Sequence, residues 1–221
     1  MKLKIYQIDS ANAMGVAFMG YNQLQENGKA VDPAKYEEVF SGEVDCENLE
    51  DVFARFNFEY HPLYRGRSLS MSDVVVTEGG AFYCDMIGFR PISFDESQTH
   101  KPDDLLKIVY VEPGRAPFVS EVKDDFKSIQ KAVDGLFQPL YMDDGTILVC
   151  NDEGKLNGMA GNRRLGDSII AGPFFIVGEN GPDFRSLTDE ETEKYMERFA
   201  EPEQISQEEV QGDMGFTMIT F

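Results

Sequence analysis

The stretch HPLYRGRSLSMSDVVVTEGGAFYCDMIGFRPISF, residues 61–94, decides the architecture of the first half of the chain. It opens with a segment rich in Pro, Gly, Arg and Ser, the composition of a connection. It then breaks into short apolar runs around Gly79-Gly80 and Gly88, which read as a hairpin followed by a last short strand, RPISF. Toward the N-terminus, LKIYQI (3–8) sets Leu3, Ile5 and Gln7 on one side of a strand and Lys4, Tyr6 and Ile8 on the other. VAFMGY (16–21) and YEEVFSGEV (36–44) are two further expected strands, separated by QENGKAVDPAK with its Asn-Gly and Asp-Pro turn signals. Leu49, Val52, Phe53 and Phe56 stand at i, i+3, i+4 and i+7 behind Glu50 and Asp51, which predicts a helix laid on that sheet.

Toward the C-terminus, ESQTHKPDD (96–104) reads as a linker. The second half then repeats the style without repeating the sequence. LLKIVYVEP (105–113) is a strand. Phe126, Ile129, Val133 and Leu136 predict one face of a helix that ends at Gly135. QPLYM and TILVC flank Asp143-Asp144-Gly145, a hairpin signal, and SIIAGPFFIVG (168–178) is strand-rich with a break at Gly172-Pro173. Thr188 and Glu191 form a capping box for a helix turning Tyr195, Met196 and Phe199 inward. After Pro202 the chain is polar until GFTMITF (215–221), for which an edge strand and a partner-docking segment both stay open. The expected fold is α+β: two small domains, each a mainly antiparallel sheet covered by one or two helices, at 1–96 and 104–200, then an acidic tail at 201–221.

The 221 residues carry 20 Lys+Arg against 40 Asp+Glu, a net charge of −20, split as −8 over the first hundred residues and −12 over the rest. That balance argues against direct nucleic-acid binding, which needs an excess of cations. It also tests DNA mimicry. A chain of this size exposes roughly 10,000 Å², or one net charge per about 500 Å². The duplex carries about one per 100 Å², so only a concentrated patch reaches that density. The densest stretch holds Asp189, Glu190, Glu191, Glu193, Glu197, Glu201, Glu203, Glu208, Glu209 and Asp213, against Lys194 and Arg198. No apolar run is long enough to cross a bilayer, and the first residues alternate like a strand instead of a signal peptide, so a cytoplasmic, membrane-free protein is expected. Three cysteines without C-x-x-C spacing suit reduced thiols.

Two histidines, His61 and His100, limit acid/base and metal chemistry, and no zinc, calcium, P-loop or dinucleotide spacing is present. The expectation is no catalytic residue, no metal and no cofactor. His61, Ser68, Ser70, Ser72 and Asp73 share one loop, but a catalytic triad holds its members on separate rigid elements. Serines and Asp at the start of a strand also serve local backbone donors. Two basic loops stand against the acidic background: Arg65-Gly66-Arg67, and Asn162-Arg163-Arg164 inside GMAGNRRLGD. Arginine forks there either receive an anionic ligand or a partner's carboxylate, or tie the loop to an acid of the same chain. The ligand- or partner-binding candidates are therefore Arg65, Arg67, Ser68, Ser70, Ser72, Asp73, Asn162, Arg163 and Arg164.

Residues 61–94, with His61-Pro62, Gly66, Ser68-Leu69-Ser70-x-Ser72-Asp73-Val74 and Gly88-Phe89, resemble the signature end of the YodL-like domain. KIYQID, AFMGY, YEEVFSGEV and LEDVFARFN are similar to it in order, from Lys2 to Phe94. The second half, with DGTILVCNDEGKLNGMAGNRRL, IIAGPFFIVG and the SLTDEE helix, is similar to another bacterial domain of unknown function that ends with the same asparagine-arginine loop. Both resemblances imply a conjugative or phage-like element and carry no catalytic residues across. The expected role is a non-enzymatic accessory protein that binds a host or element-encoded protein with a basic surface and counters host defence. Two alternatives stand beside it: a module sensing a small anionic ligand or nucleotide, and an acidic anti-restriction decoy. Oligomeric state is not assigned.

Overall fold

The computed structural model describes residues 1–9, 12–59 and 61–213, and the chain divides into two compact units, Met1–Asp103 and Asp104–Phe221. In unit 1 the strands are β1 (Lys2–Ile8), β2 (Tyr36–Glu43), β3 (Val74–Thr77), β4 (Gly80–Cys84) and β5 (Phe89–Ile92), with helices α1 (Tyr21–Glu26) and α2 (Leu49–Phe58). They make one antiparallel sheet in the order β2-β1-β3-β4-β5. Ile5 faces Phe40 on one side and Val75 on the other, while Tyr6 faces Val74. A bulge between Ile5 and Tyr6 shifts the register against β2.

Period-2 alternation gives β1 two buried faces, and each is covered differently. Against one face α2 buries Val52 and Phe56, its first turn closed by Asn48, whose side chain accepts the Asp51 N–H. Phe56 meets Phe40 at 4.9 Å between ring centroids and Tyr64 at 4.8 Å. On the other face Tyr6, Tyr36, Val74 and Tyr83 form a cluster with Val16 and with Leu24 of α1, and Phe94 lies over Tyr6 and Tyr36.

One sequence expectation fails here and another is narrowed, since the division between the units falls within the expected linker at 103/104. Residues 16–21 are a turn leading into α1, because β2 and β3 already fill both edges of β1. Phe18 sits at φ +59° and gives its N–H to Ser72 Oγ at 3.0 Å, a conformation no strand accommodates. Residues 96–100 are not a free linker. Glu96–Gln98 form a 3-10 turn, Glu96 accepts from the Tyr6 hydroxyl at 2.5 Å and from Lys4 at 2.9 Å, and His100 exchanges backbone bonds with Tyr36 and Glu38.

Unit 2 holds β6 (Leu105–Val111), β7 (Phe118–Lys123), α3 (Phe126–Ala132), β8 (Phe137–Tyr141), β9 (Thr146–Asn151), β10 (Gly161–Leu165), β11 (Ser168–Ala171), β12 (Phe174–Asn180), β13 (Asp183–Arg185), α4 (Asp189–Arg198) and α5 (Gln207–Gly212). The main sheet runs β7-β6-β12-β9-β8 with β13 on β12, and β10-β11 form a separate ribbon. Phe174 lies between Val111 and Cys150, and Ile176 between Val109 and Leu148. Leu187, Tyr195 and Phe199 seal that face. The Thr188–Glu191 capping box forms as expected and starts α4.

α3 is shorter than its periodicity suggests. It ends at Ala132, and Asp134 (φ +57°) and Gly135 (φ +149°) turn the chain away, so Leu136 and Phe126 are exposed while Ile129 and Val133 are buried. Asn162, Arg163 and Arg164 lie on β10, not in a loop. The acidic tail also needs correction. Residues 207–212 are α5, opened by a second capping box from Ser206 and Glu209, and Val210 is fully buried against Ile169 and Ala171. A Cβ on Gly161 would come within 2.5 Å of Ile205, so this segment packs close to β10. The expected terminal strand at 215–221 lies outside the described residues.

Candidate functional site

The segment 61–73 folds inward instead of looping out, and its polar residues converge on Asp73, which is fully buried. Arg67 reaches both carboxylate oxygens, Nη2 to Oδ1 at 2.6 Å and Nη1 to Oδ2 at 2.9 Å. The Ser70 N–H and Gln7 Nε2 also donate to Oδ2, at 2.8 and 2.9 Å. Gln7 in turn takes the Arg67 N–H on Oε1 and donates to the Arg67 carbonyl, each at 3.0 Å. Gly66 lets this happen, because a Cβ there would lie 2.5 Å from Gln7 Oε1. Burial pushes the Asp73 carboxyl above its ordinary value, against the opposing pull of Arg67, Ser70 and Gln7.

Its neighbours are equally committed. Ser72 at φ +77° accepts from Phe18 on its hydroxyl and from the Tyr36 hydroxyl on its carbonyl. Ser70 Oγ and the exposed Ser68's carbonyl both accept from Arg67, whose guanidinium also covers the Phe18 ring at 4.6 Å. Arg65 donates to the Glu38 carbonyl at 3.0 Å, with the Glu38 carboxylate at 3.8 Å. His61 sits in the aromatic cluster, 4.7 Å from Phe40 and 5.4 Å from Phe56, and its Nδ1 accepts the Leu63 N–H. Asp73 therefore orients an arginine, the Ser70 hydroxyl serves that arginine and the Ser72 hydroxyl serves the backbone.

In unit 2, Asn162 is fully buried and its amide donates to the carbonyls of Val111 and Gly172 at 2.9 and 2.8 Å. Arg163, 2% exposed, spreads its fork over four oxygens: the backbone and side-chain oxygens of Asn162, the Arg115 carbonyl and the Phe199 carbonyl. This ties β10 to the β6–β7 connection and to the end of α4. Burial lowers the Arg163 pKa, and the neighbouring Glu203 partly opposes that shift. Arg164 is exposed and pairs with Glu203 at 2.8 Å and Glu209 at 2.6 Å. Of the sequence candidates, Arg67, Ser70 and Ser72 gather around Asp73 in unit 1, Arg65 lies on Glu38 and Ser68 is exposed, while Asn162, Arg163 and Arg164 lie along β10 in unit 2.

A cleft of about 510 Å³ lies in unit 2, floored by Leu140, Cys150, Leu165 and Ile170 and rimmed by Lys155, Ser168 and Asp213. Lys155 Nζ lies 2.9 Å from Ser168 Oγ and 2.5 Å from Asp213 Oδ2, and Asp213 also accepts the Ile169 N–H. A serine nucleophile needs a neutral base, and this ammonium is held in an ion pair. The cluster fastens the end of α5 to β11. The Cys150 and Cys84 thiols are pushed up by burial to about 11 and about 12, far from the thiolate range that reactivity requires. Among the described residues, no three His, Cys, Asp or Glu side chains gather as metal ligands.

Half of the C-terminal acids are already paired. Asp189 meets Lys107, Glu191 meets Arg185, Glu203 and Glu209 meet Arg164, and Asp213 meets Lys155. Glu190, Glu193, Glu197, Glu201 and Glu208 are exposed and form no ion pair among the described residues. The whole chain exposes 11960 Å², one net charge per about 600 Å², even sparser than the sequence estimate.

Comparison with family models agrees with this division of the chain into two folded units. Residues 2–94 match the YodL-like domain, which spans the sheet, α1, α2 and the Asp73 network. The first unit is a YodL-like domain. Residues 106–200 match a domain of unknown function, DUF3846, which includes β10 with Asn162 and Arg163 and ends two residues past α4. Comparison with curated proteins and with solved structures gives no match. In the YodL-like unit the residue that sequence reasoning missed is Gln7, which joins Arg67, Tyr64 and Asp73. Its signal is a polar residue in register with Leu3 and Ile5 on the inward face of β1. Among the described residues, no helix is long and apolar enough to cross a membrane.

Proposed function

We propose that this chain is a cytoplasmic, non-enzymatic accessory protein of a conjugative or phage-like mobile element that binds a host or element-encoded protein with a basic surface, and so counters host defence. The observation that carries the reading is the exposed, unpaired set Glu190, Glu193, Glu197 and Glu201 on and just after α4, a helix held rigidly by its capping box and by Tyr195 and Phe199. Carboxylates fixed on a packed helix keep their geometry while they steer and register a basic partner. Asp73, Arg67, Asn162 and Arg163 are engaged inside their own folds, whereas these four glutamates are presented outward beside the exposed Lys194 and Arg198. The anionic-ligand alternative has less support, since the Arg67 and Arg163 forks are engaged within the chain. The decoy alternative is weakened by the intramolecular pairing of half the C-terminal acids.

The test is capture from cell lysate at low salt by the full chain and by a variant carrying Glu190→Gln, Glu193→Gln, Glu197→Gln and Glu201→Gln. A partner identified by mass spectrometry should be released by salt and lost from the variant. Capture of no protein, together with turnover of a substrate by the purified chain, would overturn the reading.

A further inference from the structure

The turn joining β4 to β5 is built from Asp85, Met86, Ile87 and Gly88, closed by the Asp85 N–H on the Gly88 carbonyl at 3.0 Å, with Gly88 at φ +68°. Its two central positions ask for no apolar side chain, yet Met86 is 74% and Ile87 91% exposed. Beside this tip lies a groove of about 250 Å³, lined by Phe53 of α2, Phe89 of β5 and Met86, with Cys84 in its wall. Exposed apolar side chains next to an apolar groove form a patch of the kind that marks a protein contact, and methionine adapts to an irregular partner.

Two carboxylates edge the groove. Glu50 stands 3.8 Å from the position a Gly88 Cβ would occupy and forms no ion pair among the described residues. Asp85 lies 3.4 Å from Arg90, which stacks over Tyr21 on the side toward α1. With Asp85 neutralised by Arg90, the unpaired charge at the edge is Glu50, and a second copy presenting the same face would set Glu50 against Glu50, a like-charge juxtaposition. Charge complementarity selects a partner whose apolar side chains are flanked by lysine or arginine.

We infer that the Met86–Ile87 tip and the Phe53–Phe89 groove form the docking site for an amphipathic basic segment of a partner protein. This rests on the protein-binding reading above and names a contact surface for it. The probe is a synthetic 14-residue peptide of leucine and lysine at helical spacing, titrated into the isotope-labelled full chain and followed by NMR. Its control replaces every lysine with glutamate.

Resonances of Phe53, Met86, Ile87, Gly88 and Phe89 should shift with the lysine peptide only. Affinity should fall about tenfold in the exposed double variant Met86→Ser/Ile87→Ser, as for loss of an apolar anchor. Glu50→Lys should weaken binding with the turn intact. Shifts confined to α4, or undiminished binding by the double variant, would overturn the inference. If the captured cellular partner is retained by the double variant and lost by the α4 variant, the groove is wrong and the accessory reading stands. If the peptide docks in the groove, no cellular protein is captured and the purified chain turns over a substrate, the groove stands and the accessory reading fails.

Discussion

Replacing Arg67 with Met should convert the buried Asp73 carboxylate into a pH-dependent liability. Arg67 supplies two of the four hydrogen bonds to that carboxylate and leaves the Ser70 N–H and Gln7 in place. Breaking a buried ion pair costs about 3–5 kcal/mol. The Arg67 side chain is 35% exposed, so solvent screening sets the expectation at the low end, about 3 kcal/mol at pH 7. The loss has a ceiling, because the abandoned carboxyl can take a proton.

Burial already raises the Asp73 pKa, and removing the guanidinium raises it further. An acid whose folded value exceeds its unfolded value, about 3.9, stabilises the fold below that unfolded value and loses the contribution as pH rises through the folded value. The variant should therefore lose up to about 1.4 kcal/mol per pH unit above pH 4, until the folded value is passed. Calorimetry at pH 5, 6, 7 and 8 separates the transitions of the two units, and only that of unit 1 should move. Arg67→Met/Asp73→Asn should recover stability at pH 7 and abolish the slope. An Arg67→Met transition within about 1 kcal/mol of the parent at pH 7, or one equally stable at pH 5 and 7, refutes the reasoning.

Three further outcomes follow from unit 2. Asn162→Ala strands the Val111 and Gly172 carbonyls and should cost about 2 kcal/mol in urea unfolding, with the unit 1 transition unchanged. Hydrogen bonding from Arg185 depresses the Glu191 carboxyl from its ordinary 4.5 to about 2. Its stabilisation is thus present above pH 4.5 and lost as pH falls toward 2. Arg185 is 36% exposed, so after screening the loss should be about 1 kcal/mol, and Glu191→Gln should flatten it in an acid titration of the unit 2 midpoint. Val210→Ala should cost about 2 kcal/mol and speed hydrogen exchange of the Ile169 amide, which Asp213 accepts just past α5. Unchanged exchange there would mean that α5 does not pack as described.

The strands of residues 61–94, β1, β2 and the hairpin at Asp143–Gly145 were legible because their pattern is local: alternation, Gly pairs and Asp-Gly turns. α2 and α4 were legible for the same reason, through periodicity and caps. The strand expected at 16–21 was not corrected by any local signal. Its refutation comes from Ser72, fifty-four residues away from Phe18, and from β2 and β3 occupying both edges of β1. α5 was missed because six residues with one buried valine carry too little periodicity, although Ser206 and Glu209 spelled its capping box.

The class of the fold, the two-part division and the sign of the charge follow from composition and short-range pattern, which can be read along the chain. Tertiary structure alone decided what the arginines and acids do. Whether Arg67 meets a ligand or Asp73, whether Arg163 meets an anion or four oxygens, and which carboxylates stay unpaired are set by side chains brought together across long stretches of chain. An ion pair depends on distance and burial, and neither is written in the spacing of residues along the sequence.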